Sequence, residues 1–315
     1  MRTFRAQGLE KDWSVITLGC WQLAPSVGWG DLCSQKDAEA TVKTALDHDI
    51  TAFDTAEGYG DGESERRLSN ALGNKKDDVI IISKIWPDAE LTPDGYRERL
   101  EGTLRALNRD YVDVYLVHWP GDFFNTPDKA AKLCELMIAL QESGKARTIG
   151  LSNFQAGDLK LLGENISRFV VNQVPYSLLE REYEDEGLEV CKRADIGYMA
   201  YSPTARGMLA GRFDKEALTP PARQQYKIFQ EPLFTESKKF YNTVCEIARE
   251  VETEPINLAL AWVLAQDNLV TAAVGSRKPA QVPVFAKAGQ LKLSQEHMDR
   301  MKGLSDSYHQ VKANP

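Results

Sequence analysis

Residues 79–118 read VIIISKIWPDAELTPDGYRERLEGTLRALNRDYVDVYLVH, and the order of apolar and polar positions in them decides the fold. Val79–Ser83 is a short apolar, β-branched run, and Val112–His118 is a second. Between them, Pro93–Leu107 places Leu100, Leu104 and Leu107 at helical intervals, behind Thr92 as a capping residue before a proline. Apolar runs of that length, bounded by polar residues, suit strands covered on both faces. Strand, helix and strand make the crossover unit of a parallel sheet.

The same unit recurs in both directions. Ser14–Leu18 and Thr51–Asp54 precede the quoted stretch, and Thr148–Ser152, Phe169–Val174, Ile196–Tyr201 and Val270–Val274 follow it. Helical spacing fills the intervals at Ala38–His48, Ser64–Leu72, Thr126–Gln141, Ala156–Gly163, Tyr183–Arg193, Ser237–Val251, Pro255–Gln266 and Pro279–Gly289. Eight strand-like runs, each followed by helix, predict an α/β fold: a (β/α)8 TIM barrel of parallel strands in a jacket of helices. An open, doubly wound sheet would need a glycine-rich turn after its first strand. The sequence there has Gly19-Cys20-Trp21 and Gly28-Trp29-Gly30, with no G-x-G-x-x-G. Met1–Trp13 is expected to form a β-hairpin that plugs the barrel bottom. Thr204–Phe234 carries Pro220-Pro221 and Pro232 with little periodicity, as a long functional loop does. No linker composition interrupts residues 1–315, so one domain is expected.

Composition narrows the function. Against 46 acidic residues stand 38 Lys and Arg, a formal charge of −8. That balance argues against a nucleic-acid partner, which needs a basic surface. Five scattered cysteines without a C-x-x-C pair read as reduced thiols. No apolar run approaches the roughly 18 residues of a membrane helix, and Met1–Trp13 has no apolar leader segment. A soluble, cytoplasmic protein with no membrane partner is expected; its oligomeric state is open.

In a barrel of this kind the reacting groups collect at the C-terminal ends of the strands. Asp54 ends the second run, Tyr59 lies just beyond it between Gly58 and Gly60, Lys84 follows the third, and His118 ends the fourth. Singly, each has an ordinary reading: a turn tyrosine, a solvated lysine, a capping aspartate, a core histidine. Together they make a proton donor. An ammonium beside a phenol is expected to lower its pKa, a carboxylate to hold that ammonium, and an imidazole to orient a carbonyl oxygen. No Ser or Cys sits evidently beside a base, and no metal-ligand spacing appears, so no metal is expected. A carbonyl that is protonated but not attacked by protein needs an external reductant, which points to hydride from a nicotinamide.

These and further motifs resemble the aldo-keto reductase superfamily over nearly the whole chain. The matching pieces are residues 53–60 (FDTAEGYG) with Ser64-Glu65, Ile82-Ser83-Lys84, His118-Trp119-Pro120, and residues 150–154 (GLSNF). Residues 172–176 (NQVPY), Tyr201-Ser202-Pro203 with Gly207-Met208-Leu209, and residues 275–279 (GSRKP) continue the series. The resemblance implies an NADP-dependent oxidoreductase acting on a small carbonyl or alcohol, with Tyr59 as general acid, Lys84 and Asp54 tuning it, and His118 orienting the substrate. It places Ser152, Asn153 and Gln173 on the nicotinamide carboxamide and Tyr201 under its ring. Ser202, Gly207, Met208 and Leu209 fall on the pyrophosphate segment; Ser276 and Arg277 meet a 2′-phosphate, and Gln281 is a further cofactor contact. Trp21 is assigned to both cofactor and substrate. NADP(H) is therefore expected over NAD(H), since a guanidinium binds a phosphate bidentately.

Related sequences often carry Glu-Asn where this one has Val284 and Phe285, apolar residues that cannot repeat polar contacts to adenine. An NAD-linked sugar or polyol dehydrogenase is thus a second reading, and a cofactor-bound regulatory subunit of reductase fold a third. Trp21, Trp29, Trp86, Trp119, Phe123 and Phe124 follow strand ends and suit an apolar substrate pocket, with Trp86 and Trp119 assigned to the substrate alongside His118.

Overall fold

The computed structural model describes residues 1–25, 28–30, 33–121, 124–184, 186–214 and 218–313. A two-stranded antiparallel hairpin comes first, β1 (Thr3–Phe4) against β2 (Trp13–Ser14). Eight parallel strands then close into a barrel: β3 (Ile16–Gly19), β4 (Ala52–Asp54), β5 (Ile80–Ile85), β6 (Val112–Val117), β7 (Ala146–Ser152), β8 (Phe169–Pro175), β9 (Gly197–Tyr201) and β10 (Leu269–Gly275). They neighbour one another in sequence order, and β10 returns to pair with β3.

Strand parity positions the site. Ala52, Ile80, Ile82, Val114, Leu116, Val171, Met199 and Ala273 form the cluster inside the barrel. Side chains alternate along a strand, so two residues further on the same inward row holds Asp54, Lys84, His118, Gln173 and Tyr201. The apolar layers fill the barrel from below, and the polar row is the layer above them. Phe53, Ile81, Tyr115 and Val174 take the opposite parity and pack against the helices.

Helices follow the strands: α1 (Gln35–Asp47), α2 (Glu63–Leu72), α3 (Pro93–Leu107), α4 (Pro127–Glu142), α5 (Ala156–Leu161), α6 (Glu186–Arg193), α7 (Pro221–Gln224), α8 (Leu233–Glu250), α9 (Pro255–Leu264), α10 (Val282–Ala286) and α11 (Gln295–Ala313). The bounds of α3 coincide with the expected ones, because Thr92 caps Gly95 N–H and Asn108 closes the helix at a positive φ. The hairpin does plug the barrel: Trp13 is fully buried in the interior cluster with Leu9, and its Nε1 donates to Thr17 Oγ1 at 3.0 Å. No helix among the described residues is long and apolar enough to cross a membrane.

Several expectations need correction. Ser14 belongs to the hairpin, and Lys84 lies within β5 instead of just after it. The 204–234 stretch is not one irregular loop. It contains a 3-10 turn at Ala205–Ala210, the short α7 and a second turn at Lys227–Phe229, and α8 begins at Leu233, before the expected Ser237. The Pro279–Gly289 helix is broken into α10 flanked by two 3-10 turns. Helix α11 was not anticipated, because its buried stripe of Met301, Ser305 and Tyr308 is polar at two of three positions.

The first turn of α2 is bound to the barrel by polar groups. Thr55 Oγ1 donates to Ser64 Oγ, which donates to Cys20 O, both at 2.9 Å, and Ser83 Oγ donates to Glu65 Oε1 at 2.6 Å. Glu65 is 1% exposed, and burial pushes its carboxyl up to about 7. A folded-state pKa above the unfolded value means that the protonated carboxyl favours folding; that stability is complete in acid and is lost as pH rises through about 7. Wild-type Tm is therefore expected to fall between about pH 5 and pH 8, and Glu65→Gln to flatten that slope by up to roughly 3 kcal/mol. Thermal melts of both proteins across that range check this, and parallel slopes would remove Glu65 as their cause.

Candidate active site

The inward row brings Asp54, Lys84 and His118 together at the C-terminal mouth of the barrel, and the turn after β4 returns Tyr59 to them. Lys84 is fully buried, and its ammonium has three acceptors. Nζ lies 2.8 and 2.9 Å from the two Asp54 carboxylate oxygens, 2.7 Å from Thr55 O and 3.2 Å from the Tyr59 hydroxyl. An ammonium only donates, so the Tyr59 oxygen accepts here and its own O–H remains to be given elsewhere. Gln173 Nε2 donates to Asp54 Oδ1 at 2.7 Å and fixes the carboxylate from the other side. The His118 ring meets Tyr59 edge-on at 5.6 Å and Trp86 edge-on at 4.9 Å; its Nδ1 is buried with no partner among the described residues. It is therefore not the satisfied core histidine that a bland reading allowed.

The electrostatics differ from the expectation in one respect. Removal from water, with the Asp54 carboxylate second, pushes the Tyr59 phenol well above its ordinary value, so Lys84 does not lower it in the resting protein. Asp54 largely cancels the ammonium, and the ion pair presents little net charge to the phenol. Burial also holds Lys84 below the usual lysine value, against the pull of Asp54. It holds His118 well below the usual imidazole value, with the Lys84 charge adding to the effect. At neutral pH the site thus keeps a protonated phenol and a neutral imidazole. Cys20, buried beside them, is pushed up by burial and is inert as a thiolate.

A cavity of about 730 Å³ opens over this group, and Asp54, Tyr59 and His118 form part of its floor. Trp21 stacks on Tyr59 at 5.7 Å, and Trp29 meets Trp21 edge-on at 5.8 Å. Trp86 and Trp119 stand half-exposed on the rim. Phe124 does not join them; it is buried against Phe154, 5.1 Å away, while Phe123 lies outside the described residues. Ser152, Asn153, Gln173 and Tyr201 line the opposite wall. Tyr201 donates to Asn153 Oδ1 at 2.9 Å, and Asn153 Nδ2 donates to His118 O at 2.9 Å and Ser152 Oγ at 3.1 Å. Ser152 Oγ in turn donates to Gln173 O at 3.0 Å. Ser152 and Asn153 therefore reach the cavity with their side-chain donors committed to the barrel.

Part of the cavity lining is basic. Arg277 and Lys278 after β10 line it, together with Arg212 and Arg223 from the long connection. Burial, and then the charges of Arg212 and Arg277, push Arg223 down to about 10. Cations gathered so closely call for an anion. Ser202 and Gly207 also line the cavity, but Met208 and Leu209 are fully buried and present no side chain to it. Ser276 is likewise turned inward, donating to Lys278 O and Gln281 Oε1 at 3.0 Å each. Gln281 Oε1 also accepts from Arg277 N at 3.1 Å, so it shapes the basic turn from within.

Sequence reasoning missed Arg206, Arg212 and Arg223. Ser202, Ala205, Arg206 and Gly207 all have positive φ, a cost of about 1–3 kcal/mol for each non-glycine residue that surrounding contacts must offset. Arg206 supplies those contacts: its guanidinium pairs with the buried Glu180 and stacks 3.4 Å over the Tyr226 ring, while its carbonyl accepts from Arg223 Nε at 2.8 Å. At Gly207 (φ +93°) a β-carbon would lie 2.6 Å from Arg223 Nη2, so glycine alone lets that cation approach. A cluster of arginines with few acids in an aperiodic stretch was the available signal.

A cavity lined by aromatics and amides and also by guanidinium groups fits a nucleotide cofactor with a flat ring and phosphates. Comparisons with known proteins agree. The profile of the Aldo/keto reductase family matches residues 15–306. Aldo-keto reductase YhdN of Bacillus subtilis is 32% identical over 286 residues, covering 87% of this chain and 84% of that protein. The NADH-specific methylglyoxal reductase of Escherichia coli is 27% identical over 318 residues, covering 93% and 95%. Among solved structures, an aldo/keto reductase from Klebsiella pneumoniae in complex with NADP and acetate superposes with a TM-score of 0.77 at 27% identity, covering 96% of this chain and 95% of that one.

Proposed function

The chain belongs to the aldo/keto reductase family, and from that premise we propose that it is an NADP(H)-dependent oxidoreductase interconverting a small aldehyde or ketone and its alcohol, with Tyr59 as proton donor. The observation that carries this reading is the Lys84 ammonium, saturated by Asp54, Thr55 O and Tyr59, which leaves the phenolic O–H as the proton on offer. When bound, a nicotinamide supplies the hydride for the carbonyl carbon.

The chain's own residues do the rest. Tyr59 gives its proton to the carbonyl oxygen as negative charge gathers there. The phenolate left behind faces the ammonium 3.2 Å away. A cation that stabilises the phenol weakly and the phenolate strongly acts where catalysis needs it, on the way to the transition state. Neutral His118 hydrogen-bonds the same oxygen and sets its direction. Trp21, Trp86 and Trp119 enclose the substituent of the carbonyl. Arg277, with Arg212, Arg223 and Lys278, holds the cofactor phosphates; Tyr201, Ser152, Asn153 and Gln173 seat its ring end. Described residues of the 204–234 connection line the cavity, and Ala222 N donates to Gly28 O at 2.8 Å in the loop after β3, so this connection would cover a bound cofactor and make its release a candidate slow step.

A second reading, NAD-linked dehydrogenation, is favoured by two observations: the Escherichia coli relative is named NADH-specific, and Val284, half-exposed in the cavity wall, offers adenine no polar contact. Arg277→Ala decides between them. It is expected to weaken NADPH binding by about 1.5–3 kcal/mol, the worth of a charged hydrogen bond, and barely alter NADH binding. Equal losses in a titration of both cofactors would favour the NAD reading.

Tyr59→Phe should lower turnover by at least roughly 10²-fold while NADPH affinity stays within about twofold, measured by initial rates and fluorescence titration. Full activity in that variant would remove the phenol from the reaction. Because burial lowers the His118 pKa and raises that of Tyr59, both groups keep one protonation state around neutrality. The kcat/KM for carbonyl reduction is accordingly expected to be flat between about pH 6 and 8 and to fall only in alkali, as the phenol loses its proton. An inflection near the ordinary imidazole value would contradict a permanently neutral His118.

A further inference from the structure

One network outside the cavity grips two of its walls. Trp86, the first residue past β5, directs its backbone N–H to a carboxylate: Glu57 Oε1 accepts it at 2.5 Å. Glu57 lies on the turn between Asp54 and Tyr59, and its own carbonyl accepts from Gly62 N at 2.8 Å, which closes that turn. Arg99, on α3, then holds the Glu57 carboxylate in a fork, Nε to Oε2 at 2.9 Å and Nη2 to Oε1 at 2.6 Å. Its remaining Nη1 reaches Asp88 Oδ1 at 2.8 Å, two residues past Trp86. Neither Arg99 nor Glu57 lines the cavity.

The clamp converges on one aromatic side chain. Trp86 is 39% exposed, so burial alone does not fix its ring. The ring nevertheless lies against the Tyr59 turn, where a β-carbon at Gly58 would sit 3.3 Å from Trp86 Cε3, and edge-on to His118 at 4.9 Å. Its backbone N–H is held by Glu57, the chain two residues on carries Asp88, and a single guanidinium binds both carboxylates. A planar fork binding a carboxylate bidentately fixes orientation as well as distance, which a lysine ammonium cannot do. An isolated, partly exposed ion pair adds little stability. Geometry is what this one supplies.

We propose that Arg99, acting through Glu57, is a positioning residue that sets the Trp86 wall of the substrate pocket and thereby the preference for bulky aromatic carbonyls over small ones. The inference rests on the reading of this cavity as a carbonyl-reducing site.

The test compares wild type with Arg99→Ala, Arg99→Lys and Glu57→Gln on 2-naphthaldehyde and propanal with NADPH, alongside ¹⁹F NMR of 5-fluorotryptophan-labelled protein in which Trp86→Phe assigns the resonance. Arg99→Ala should lower kcat/KM for 2-naphthaldehyde on the order of 10–100-fold, mainly through KM, and for propanal by no more than about threefold. NADPH affinity should hold, and the Trp86 resonance should shift or broaden. Glu57→Gln, which keeps an oxygen for the Trp86 amide but loses the charge, should give an intermediate loss, and Arg99→Lys a partial rescue of both readouts. Equal losses for the two aldehydes, or an unmoved Trp86 resonance, would overturn the proposal. Wild-type protein that turned over neither aldehyde would overturn the carbonyl-reducing reading, and the resonance would still decide whether Arg99 positions Trp86.

Discussion

A lysine ammonium withdrawn completely from water is the constraint around which the molecule is arranged. Burying such a charge costs several kcal/mol unless every proton finds an acceptor. Lys84 finds them in the Asp54 carboxylate, a main-chain oxygen of the same loop and the Tyr59 hydroxyl, and Gln173 steadies the carboxylate from across the barrel. These groups come from β4, its following turn, β5 and β8, so only a closed barrel with one register brings them together. Asp54 pairs with Ile82, two residues below Lys84 on the same inward row. A slip of one residue would send the lysine outward into the helix jacket.

The same burial decides how acid chemistry is held in reserve. A cation beside a phenol was expected to lower its pKa, and the resting site does the opposite because desolvation outweighs a cation already neutralised by Asp54. This does not weaken the case for a proton donor. A phenol that stays protonated is always loaded, and the ammonium exerts its pull only when negative charge forms on that oxygen. Stabilising the product of proton transfer, and not the starting state, is the differential that accelerates a reaction.

Much of this was legible in the sequence because it depends on period and position. The strand runs, the fully matched Pro93–Leu107 helix and the four groups at or beside strand ends follow from alternation, capping and reactive residues just after apolar runs. Arg206, Arg212 and Arg223 escaped because nothing periodic marks them; their place depends on a run of positive-φ residues and on the close approach that Gly207 permits. The side chains of Met208 and Leu209 turn into the core and that of Ser276 onto the local backbone, an outcome that a linear motif does not encode. Helix α11 was invisible for a related reason, since Ser305 and Tyr308 are buried through hydrogen bonds to Leu178 O and Ser237 and not through apolar character.

The strand-borne and the basic residues that line the cavity obey different physics, and this bears on what can vary. Asp54, Lys84, Ser152, Gln173 and Tyr201 sit on strands and are held by internal hydrogen bonds. Among the basic residues, burial first, and then the charges of Arg212 and Arg277, bring Arg223 down to about 10, with Asp214 pulling the other way. On the proposed reading, an anion bound there eases the repulsion among these cations, and a cofactor with an extra phosphate would ease it further. Apolar Val284 and Phe285 offer no polar side-chain contact but leave that group of cations intact. On the proposed NADP(H) reading, discrimination between cofactors rests on the sum of the cations and not on a polar pair after Gln281.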